Sequence, residues 1–264
     1  MLIPDKIRNL LSSEEYETDN IGMSGSSVLI FENKILKVQD YNEEAENEYR
    51  MMQYLQGRFP VPVPYAHEVK DGKSYLLMSK CDGRMACAPE YMANPATLCK
   101  LLANGLKRLW SMDVSDCPCS QNLSYKLFMA GQNIEKGMVD LDNVEPDTFG
   151  ENGFGDPSKL LQWLQENRPE EEPVLSHGDY CLPNIFGISD EVTGYIDLGR
   201  MGIGDKWCDI ALCYRSLSHN YNGRYKYNVN QTFGDFDEML LFRELGIEPD
   251  WEKIRYYTLL DELF

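Results

Sequence analysis

The stretch LSHGDYCLPNIFG, residues 175–187, carries three polar side chains, His177, Asp179 and Asn184, in a short and otherwise mostly apolar window. Thirteen residues after Asn184, the run TGYIDLG reads as a short strand whose end delivers Asp197. Asn184 and Asp197 offer hard oxygen ligands, which magnesium prefers when phosphate groups complete its coordination. Asp179 could orient the proton of an attacking hydroxyl. The alternative is that both aspartates only cap turns; either cap alone is common, but both together with Asn184 between them are not.

His177 does not complete a hydrolytic triad. The chain has histidines only at positions 67, 177 and 219, and it lacks a serine-centred nucleophile elbow. We therefore expect His177 to be held by backbone hydrogen bonds close to the Asp179 turn.

A lysine and a glutamate upstream form a second candidate set. In KILKV, strand alternation puts Lys37 on the face opposite its two apolar neighbours, where it either snorkels at an edge or meets an anion. In the next helical segment Ala45, Tyr49 and Met52 form an inward stripe, with Glu48 at its margin. An unpaired carboxylate there is costly, so Lys37 is a sensible partner. Such a pair is either structural or functional, and these residues alone leave both open.

The segment NIGMSGSSV, around Ser24, is a small turn with glycine and serine that leads into a strand. Successive backbone N–H groups in such a turn can form a nest for phosphate oxygens. No Gly-Lys-Ser/Thr follows, so this is not a Walker sequence, and a plain hairpin loop is the alternative.

Bringing these residues together requires a sheet, a helix and a larger scaffold. The run SSVLIFENKILKVQD predicts a hairpin at residues 32–34, and VPVPYAHEVKDGKSYLLMS predicts two more strands around Asp71-Gly72. NEEAENEYRMMQYLQG predicts one helix, and after KCDGR long amphipathic helices dominate. We expect an α+β fold with a small β-rich lobe over residues 1–81, a larger and mainly helical lobe over residues 82–264, and a site in the cleft between them.

Charge and composition limit the possible partners. The formal net charge of -18 argues against a nucleic-acid binder, which would need a basic stripe. An acidic chain attracts cations, although acidity that only maintains solubility is the alternative. No window approaches the roughly 20 apolar residues of a membrane span. Eight scattered cysteines without a CxxC pair predict reduced thiols in a cytoplasmic protein and no zinc site.

HGDYCLPNIF, followed by IDLGRMGIGDKWCDIA and the terminal LLDELF, resembles the aminoglycoside phosphotransferase family, most closely its 3'-phosphotransferase branch. The resemblance implies a bilobal protein-kinase-like fold, ATP (GTP in some members) and two magnesium ions. By that likeness Lys37, held by Glu48, would pair with the nucleotide phosphates, which the backbone around Ser24 would cover. The linker from Ser79 to Cys81 would meet the adenine edge.

The same resemblance implies roles at the other end of the cleft. Asp179 would orient a sugar hydroxyl, while Asn184 and Asp197 would hold magnesium. The polycationic substrate would meet Arg200, Asp261, Glu262 and the terminal carboxylate of Phe264, although without the resemblance DELF reads as a frayed helix end. The acidic stretch DLDNVEPDTFGENGFGD resembles a substrate-covering loop, which adds Asp142 and Glu145 as substrate contacts. His219 stands where this branch offers an acidic contact.

The leading hypothesis is an ATP- and magnesium-dependent kinase that phosphorylates a hydroxyl, expected to be the 3'-hydroxyl, of a kanamycin- or neomycin-type aminoglycoside and so confers resistance. Two alternatives remain: a kinase of another small alcohol, such as choline or a sugar, and a non-catalytic nucleotide-binding module. The intact Asp179 counts against a binding module, because a protein that only binds nucleotide has no need to orient a hydroxyl.

Overall fold

The computed structural model describes residues 3–11, 15–18, 26–150, 153–224, 233 and 236–264. The strands in this part of the chain are β1 (Glu17–Thr18), β2 (Ser27–Ile30), β3 (Lys34–Asp40), β4 (Pro64–Lys70), β5 (Lys73–Ser79), β6 (Arg84–Met85), β7 (Pro173–Ser176), β8 (Ile185–Ile188), β9 (Glu191–Tyr195) and β10 (Gly202–Asp205). The helices are α1 (Asp5–Arg8), α2 (Glu43–Leu55), α3 (Pro89–Met92), α4 (Pro95–Trp110), α5 (Leu123–Glu135), α6 (Pro157–Glu166), α7 (Lys206–Tyr221), α8 (Leu240–Leu245) and α9 (Trp251–Asp261). Single 3₁₀ turns span Leu182–Asn184 and Leu198–Arg200.

The N-terminal region is an antiparallel sheet in the order β1-β2-β3-β5-β4. Both predicted hairpins are confirmed, since β2 pairs with β3 and β4 pairs with β5. The second hairpin turns at Asp71 and Gly72, which have φ values of 49° and 74°. Two left-handed residues in a two-residue turn match the right-handed twist of the strands, which is why Asp-Gly suits this position.

The two faces of β3 separate the core from the site. Leu36 and Val38 are buried beneath the sheet in a small core with Ile7, Leu29 and Leu77. Lys37 points to the opposite face, so the alternation expected from the sequence is confirmed.

Helix α2 begins after Asn42, whose side chain accepts a hydrogen bond from the Ala45 N–H at 2.8 Å. The stripe expected for this helix is partly wrong. Tyr49 is only half-buried and packs against His67 with the two rings tilted by 36° and their centroids 4.5 Å apart. Glu48 does not lie at the margin but is buried, with 1% of its surface exposed. The buried face is wider than one stripe because α2 packs against both the sheet and the turn at residues 198–200.

The larger core lies in the remainder of the chain, around α4, α7 and α9. Leu98, Leu102, Leu106 and Leu109 are fully buried at helical spacing along α4, which confirms the amphipathic helix expected there. Each such leucine contributes about 1.5–3 kcal/mol through burial. The fold is α+β, as expected, with a β-sheet followed by a mainly helical remainder. The boundary at residues 81 and 82 stays a prediction.

Two small sheets carry the segments of chemical interest in this helical remainder. β7 pairs with β10, and β8 lies between β6 and β9. The residues between β7 and β8 therefore lie beside the residues that follow β9, which places the HGDYCLPN turn next to Asp197. No helix in the described part of the chain is long and apolar enough to cross a bilayer.

Candidate active site

Lys37 links the sheet, helix α2 and the turn that follows β9. Its Nζ lies 2.9 Å from Glu48 Oε2 and 2.7 Å from Asp197 Oδ1. Burial by itself lowers the pKa of Lys37, but the two carboxylates outweigh it and raise the pKa above its ordinary value. The lysine is therefore a permanent cation at the mouth of a cavity. Glu48 is buried with its partner, whereas the Asp197 side chain keeps 39% of its surface exposed.

Asp197 adopts an unusual backbone conformation. Its φ of 61° and ψ of 57° lie in the left-handed region, which costs a non-glycine residue about 1–2 kcal/mol. The following turn holds this conformation through α2, because the Asn47 side-chain amide donates to the carbonyls of Gly199 and Met201, at 2.9 Å each. A side chain at Gly199 would approach Glu44 to 3.1 Å, so glycine permits this close packing.

The HGDYCLPN turn brings Asp179 and Asn184 together. The Asn184 amide nitrogen donates to Asp179 Oδ2 at 2.9 Å and to the Asp179 carbonyl at 3.0 Å. The amide oxygen of Asn184 therefore points away from Asp179. Asn184 also accepts a backbone hydrogen bond from Ile196, the residue before Asp197. Asp197 and Asn184 thus line the same cavity. Their carboxylate and amide oxygens are hard ligands, which fit a magnesium ion that also keeps several waters and phosphate oxygens in its coordination shell.

Asp209 on α7 holds the HGDYCLPN turn in place, and the sequence did not single out this residue. Asp209 is fully buried on α7. Its Oδ1 accepts from the Ser176 hydroxyl at 3.1 Å and from the Gly178 N–H at 2.8 Å, and its Oδ2 accepts from the His177 N–H at 2.8 Å. Burial raises the pKa of Asp209 despite these donors. The available signal was a single carboxylate inside the apolar run WCDIALC.

Gly178 is the contact point between the HGDYCLPN turn and the 198–200 turn. Its φ is +81°, and a Cβ placed there would lie 2.1 Å from the Arg200 carbonyl oxygen. Glycine is therefore required between His177 and Asp179, both for its left-handed backbone and for the close approach to the 198–200 turn.

His177 has the supporting position expected from the sequence. Its Nδ1 accepts a hydrogen bond from the Asp179 N–H at 3.3 Å, and its fully buried ring packs beside Tyr180 and Tyr195. Its Nε2 finds no hydrogen-bond partner within the described residues. The backbone hydrogen bond is thus confirmed for one of the two ring nitrogens.

A cavity of about 340 Å³ opens between the sheet and the HGDYCLPN turn. Its polar end is formed by Lys37, Glu48, Asn184 and Asp197. Its other walls are mostly apolar and come from β2, β3, β5, β6, β8 and the residue after β9, with Val28, Ile30, Ile35, Met78, Met85, Phe186 and Ile196. The segment Ser79–Cys81 closes one side, where the Ser79 hydroxyl accepts from the Val63 N–H at 3.0 Å. A mostly apolar cavity with a cation and carboxylate oxygens at one end suits a ligand that joins a base to phosphates.

Four of the six expected substrate residues, Arg200, Asp261, Glu262 and Phe264, form one cluster of ion pairs and a ring contact, in which Arg200 interacts electrostatically with Asp179. Arg200 donates to Glu44 at 3.0 Å and to Asp261 at 3.2 Å, and its guanidinium lies 4.9 Å from the centre of the Phe264 ring. The expected set omitted Arg215, which pairs with both Asp261 and Glu262. Burial raises the pKa of Glu262 to about 7, against the opposing charge of Arg215. These carboxylates already have internal cationic partners.

The remaining expected residues have different outcomes. Glu145 reaches the cluster, because its N–H donates to Glu262 Oε2 at 3.0 Å. Asp142 is exposed, and among the described residues no hydrogen bond or ion pair joins it to this cluster. Ser24 lies outside the described residues, so its phosphate-covering role stays a prediction.

With this geometry in place, comparison with known proteins decides the family. A model described as "Phosphotransferase enzyme family" matches residues 33–257. The chain belongs to this phosphotransferase family. An aminoglycoside 3'-phosphotransferase of Enterococcus faecalis is 39% identical to it over 278 residues, which cover 100% of this chain and 99% of the relative. The resemblance stated from the HGDYCLPNIF and IDLGR segments is therefore confirmed.

Solved structures agree with this assignment. The crystal structure of an aminoglycoside-3'-phosphotransferase of type VIII matches the phosphotransferase with a TM-score of 0.78 and 26% identity, covering 98% of each chain. An aminoglycoside phosphotransferase from Streptomyces rimosus, in complex with ADP and streptomycin, matches with a TM-score of 0.76 and 24% identity, covering 97% of this chain and 95% of the other. The second similarity concerns the fold alone. The expected kinase-like α+β fold is confirmed.

Proposed function

We propose that this phosphotransferase transfers the γ-phosphate of ATP to the 3'-hydroxyl of an aminoglycoside. The observation that carries the proposal is the convergence of Lys37, Asn184 and Asp197 at the polar end of one cavity, with Asp179 hydrogen-bonded to Asn184 beside it. The name of the Enterococcus relative supports the choice of acceptor. The cytoplasmic location expected from the cysteines suits a protein that consumes ATP.

The nucleotide roles follow from the walls of the cavity. The apolar part of the cavity holds the base, and the backbone of residues 79–81 meets its edge. Lys37 is charged and fixed by Glu48, so it supplies a cation to the phosphates without needing to move. Magnesium, held by Asn184 and Asp197, would neutralise charge on the transferred group.

Asp179 acts on the acceptor hydroxyl. Asn184 occupies its Oδ2, which leaves Oδ1 to accept the proton of the hydroxyl and aim its oxygen at the γ-phosphorus. The Asp209 anchor fixes the backbone on which Asp179 sits. Catalysis of this kind depends mainly on positioning and charge neutralisation, so a shift of the turn costs rate even when every catalytic side chain is present.

The substrate ammonium groups are assigned to Asp261, Glu262 and Glu145. All three lie on or beside the last helix and the 136–150 loop, where Glu145 donates a backbone hydrogen bond to Glu262 and Arg200 donates to Asp261. Arg200, which was expected to contact the substrate, is engaged by Glu44 and Asp261, so its role is to hold these carboxylates in place. Contacts from Asp142 and Phe264 stay predictions.

The test is coupled ADP release with ATP and magnesium, measured for kanamycin, neomycin, choline and a sugar alcohol. We expect turnover on the antibiotics, and we expect Asp179→Asn to lose kcat by orders of magnitude while the Kd for nucleotide changes only a few-fold. Asp190→Asn is the matched control, because Asp190 forms an exposed pair with Lys100 away from the cavity. Turnover only on choline or the sugar alcohol would overturn the assigned acceptor, and an active Asp179→Asn would overturn the assigned base.

A further inference from the structure

Glu145 is held by two side chains, His219 near the end of α7 and Arg224 just beyond it. His219 Nε2 lies 2.8 Å from Glu145 Oε1, and Arg224 pairs with Glu145 Oε2. Arg224 also donates to the Val144 carbonyl at 2.8 Å, so it binds the loop through both a side chain and the backbone. Both oxygens of a carboxylate assigned to the substrate are thus occupied by the protein itself.

The same pairing recurs across the substrate end. Asp261 is paired with Arg200 and Arg215, and Glu262 is paired with Arg215. The three carboxylates assigned to the substrate, Glu145, Asp261 and Glu262, are thus matched by three arginines of the chain itself. An arriving ammonium group therefore does not find a bare carboxylate but must exchange with an internal cation.

Of these arginines, Arg224 is the one that can dissociate from its carboxylate most easily. It lies beyond the end of α7 and beyond Gly223, whose φ is +79°, and its side chain is 30% exposed. Arg215, in contrast, projects from the middle of α7, has 14% of its side chain exposed and serves two carboxylates. Releasing Arg224 breaks one partly exposed ion pair and one hydrogen bond to the Val144 carbonyl, whereas releasing Arg215 leaves a buried cluster with excess negative charge.

We propose that Arg224 is an internal competitor for a substrate ammonium group at Glu145. In the free enzyme it ties the loop of residues 136–150 to α7 with the help of His219, and a substrate ammonium group replaces it on Glu145. This inference rests on the proposed function, since it assumes an acceptor with ammonium groups. Arg224 thereby sets the affinity for polycationic acceptors without touching the reacting atoms.

The kinetic test is Arg224→Gln, which removes the charge while keeping a polar side chain. We expect KM for kanamycin to fall about two- to fivefold, the range expected for losing a competing exposed ion pair, with kcat unchanged. The decrease should vanish when Glu145→Gln is already present. Arg243→Gln is the matched control, because it removes the same charge from an exposed pair with Asp237 and should leave KM unchanged. An unchanged or higher KM in Arg224→Gln overturns the competition.

A second measurement does not depend on turnover. Amide hydrogen exchange of residues 139–148 in the free enzyme should be faster in Arg224→Gln than in the wild type or in Arg243→Gln, because the loop loses its tie to α7. Equal exchange in all three proteins overturns the tie. If the wild type phosphorylates no aminoglycoside, the proposed function fails, and the exchange result still decides whether Arg224 holds the loop.

Discussion

The substitution Asp209→Asn tests how Asp209 holds the HGDYCLPN turn, because it changes the hydrogen bonds to this turn with almost no change in side-chain volume. The carboxylate accepts from the His177 N–H on one oxygen and from the Gly178 N–H and the Ser176 hydroxyl on the other. An asparagine amide has one oxygen and one NH₂ group. Whichever way the amide is turned, one backbone N–H of the turn then faces another donor.

The expected cost follows from these contacts. Losing one hydrogen bond to a charged group costs about 1.5–3 kcal/mol, and an unpaired buried N–H costs about 1–3 kcal/mol. Removing a fully buried carboxylate, whose pKa is raised by burial, offsets part of this loss. We expect a net destabilisation of about 2–4 kcal/mol, which lowers Tm by about 4–16 °C at 2–4 °C per kcal/mol. Displacing Asp179 by about 1 Å should lower kcat by about 10²-fold.

Thermal unfolding and steady-state kinetics of the same preparation test this reasoning. Asp209→Asn should lose both Tm and kcat, while KM for ATP stays within a few-fold because the nucleotide cavity does not contain Asp209. Asp190→Asn, an exposed change of the same chemistry, should alter stability by less than about 0.5 kcal/mol. A variant with Tm within about 2 °C of the wild type and kcat within about twofold would show that Asp209 does not hold the turn.

Two further predictions concern neighbouring residues. Gly178→Ala should abolish most activity and lower Tm, because a Cβ would lie 2.1 Å from the Arg200 carbonyl oxygen; Gly137→Ala, a left-handed glycine with open space around it, controls for backbone strain alone in the same two assays. The pKa of Glu262 is raised to about 7, so the group is largely protonated at pH 6 and ionised at pH 8. Because only the carboxylate attracts ammonium groups, KM for kanamycin should fall as pH rises through about 7, and Glu262→Gln should remove the part of the pH profile that this group causes; identical profiles for both proteins would contradict the assignment.

Much of the nucleotide end was accessible from sequence because local periodicity fixes which way each side chain points. Strand alternation placed Lys37 opposite Leu36 and Val38, and a short strand before Asp197 delivered it to the cleft. The pairing of Lys37 with Glu48 was inferred from the cost of leaving a carboxylate unpaired, and the structure places these groups 2.9 Å apart. The burial of Glu48 was underestimated, because the turn at residues 198–200 covers a face of α2 that a single helical stripe does not reveal.

The rest depends on contacts between segments that are distant in sequence. Asp209 is separated from Ser176, His177 and Gly178 by more than 30 residues, and no local pattern predicts that they meet. At the substrate end, the sequence singled out the acidic residues together with Arg200 and His219, but not the partners Arg215 and Arg224. Arg215 and Arg224 become meaningful only once α7 lies beside the last helix and the loop that carries Glu145.

The interlock between α2 and the 198–200 turn has a consequence for inhibition. Asn47 donates two hydrogen bonds to that turn, and Glu44 pairs with Arg200 from the same helix. Swinging α2 outward would break all three contacts and would also separate Glu48 from Lys37. Lys37, Glu48 and Asp197 are thus already assembled in this structure. A compound that binds only when α2 is displaced loses binding free energy equal to the cost of breaking these contacts. An inhibitor that binds the cleft with α2 in place does not pay that cost, so we expect it to bind more tightly for the same contacts.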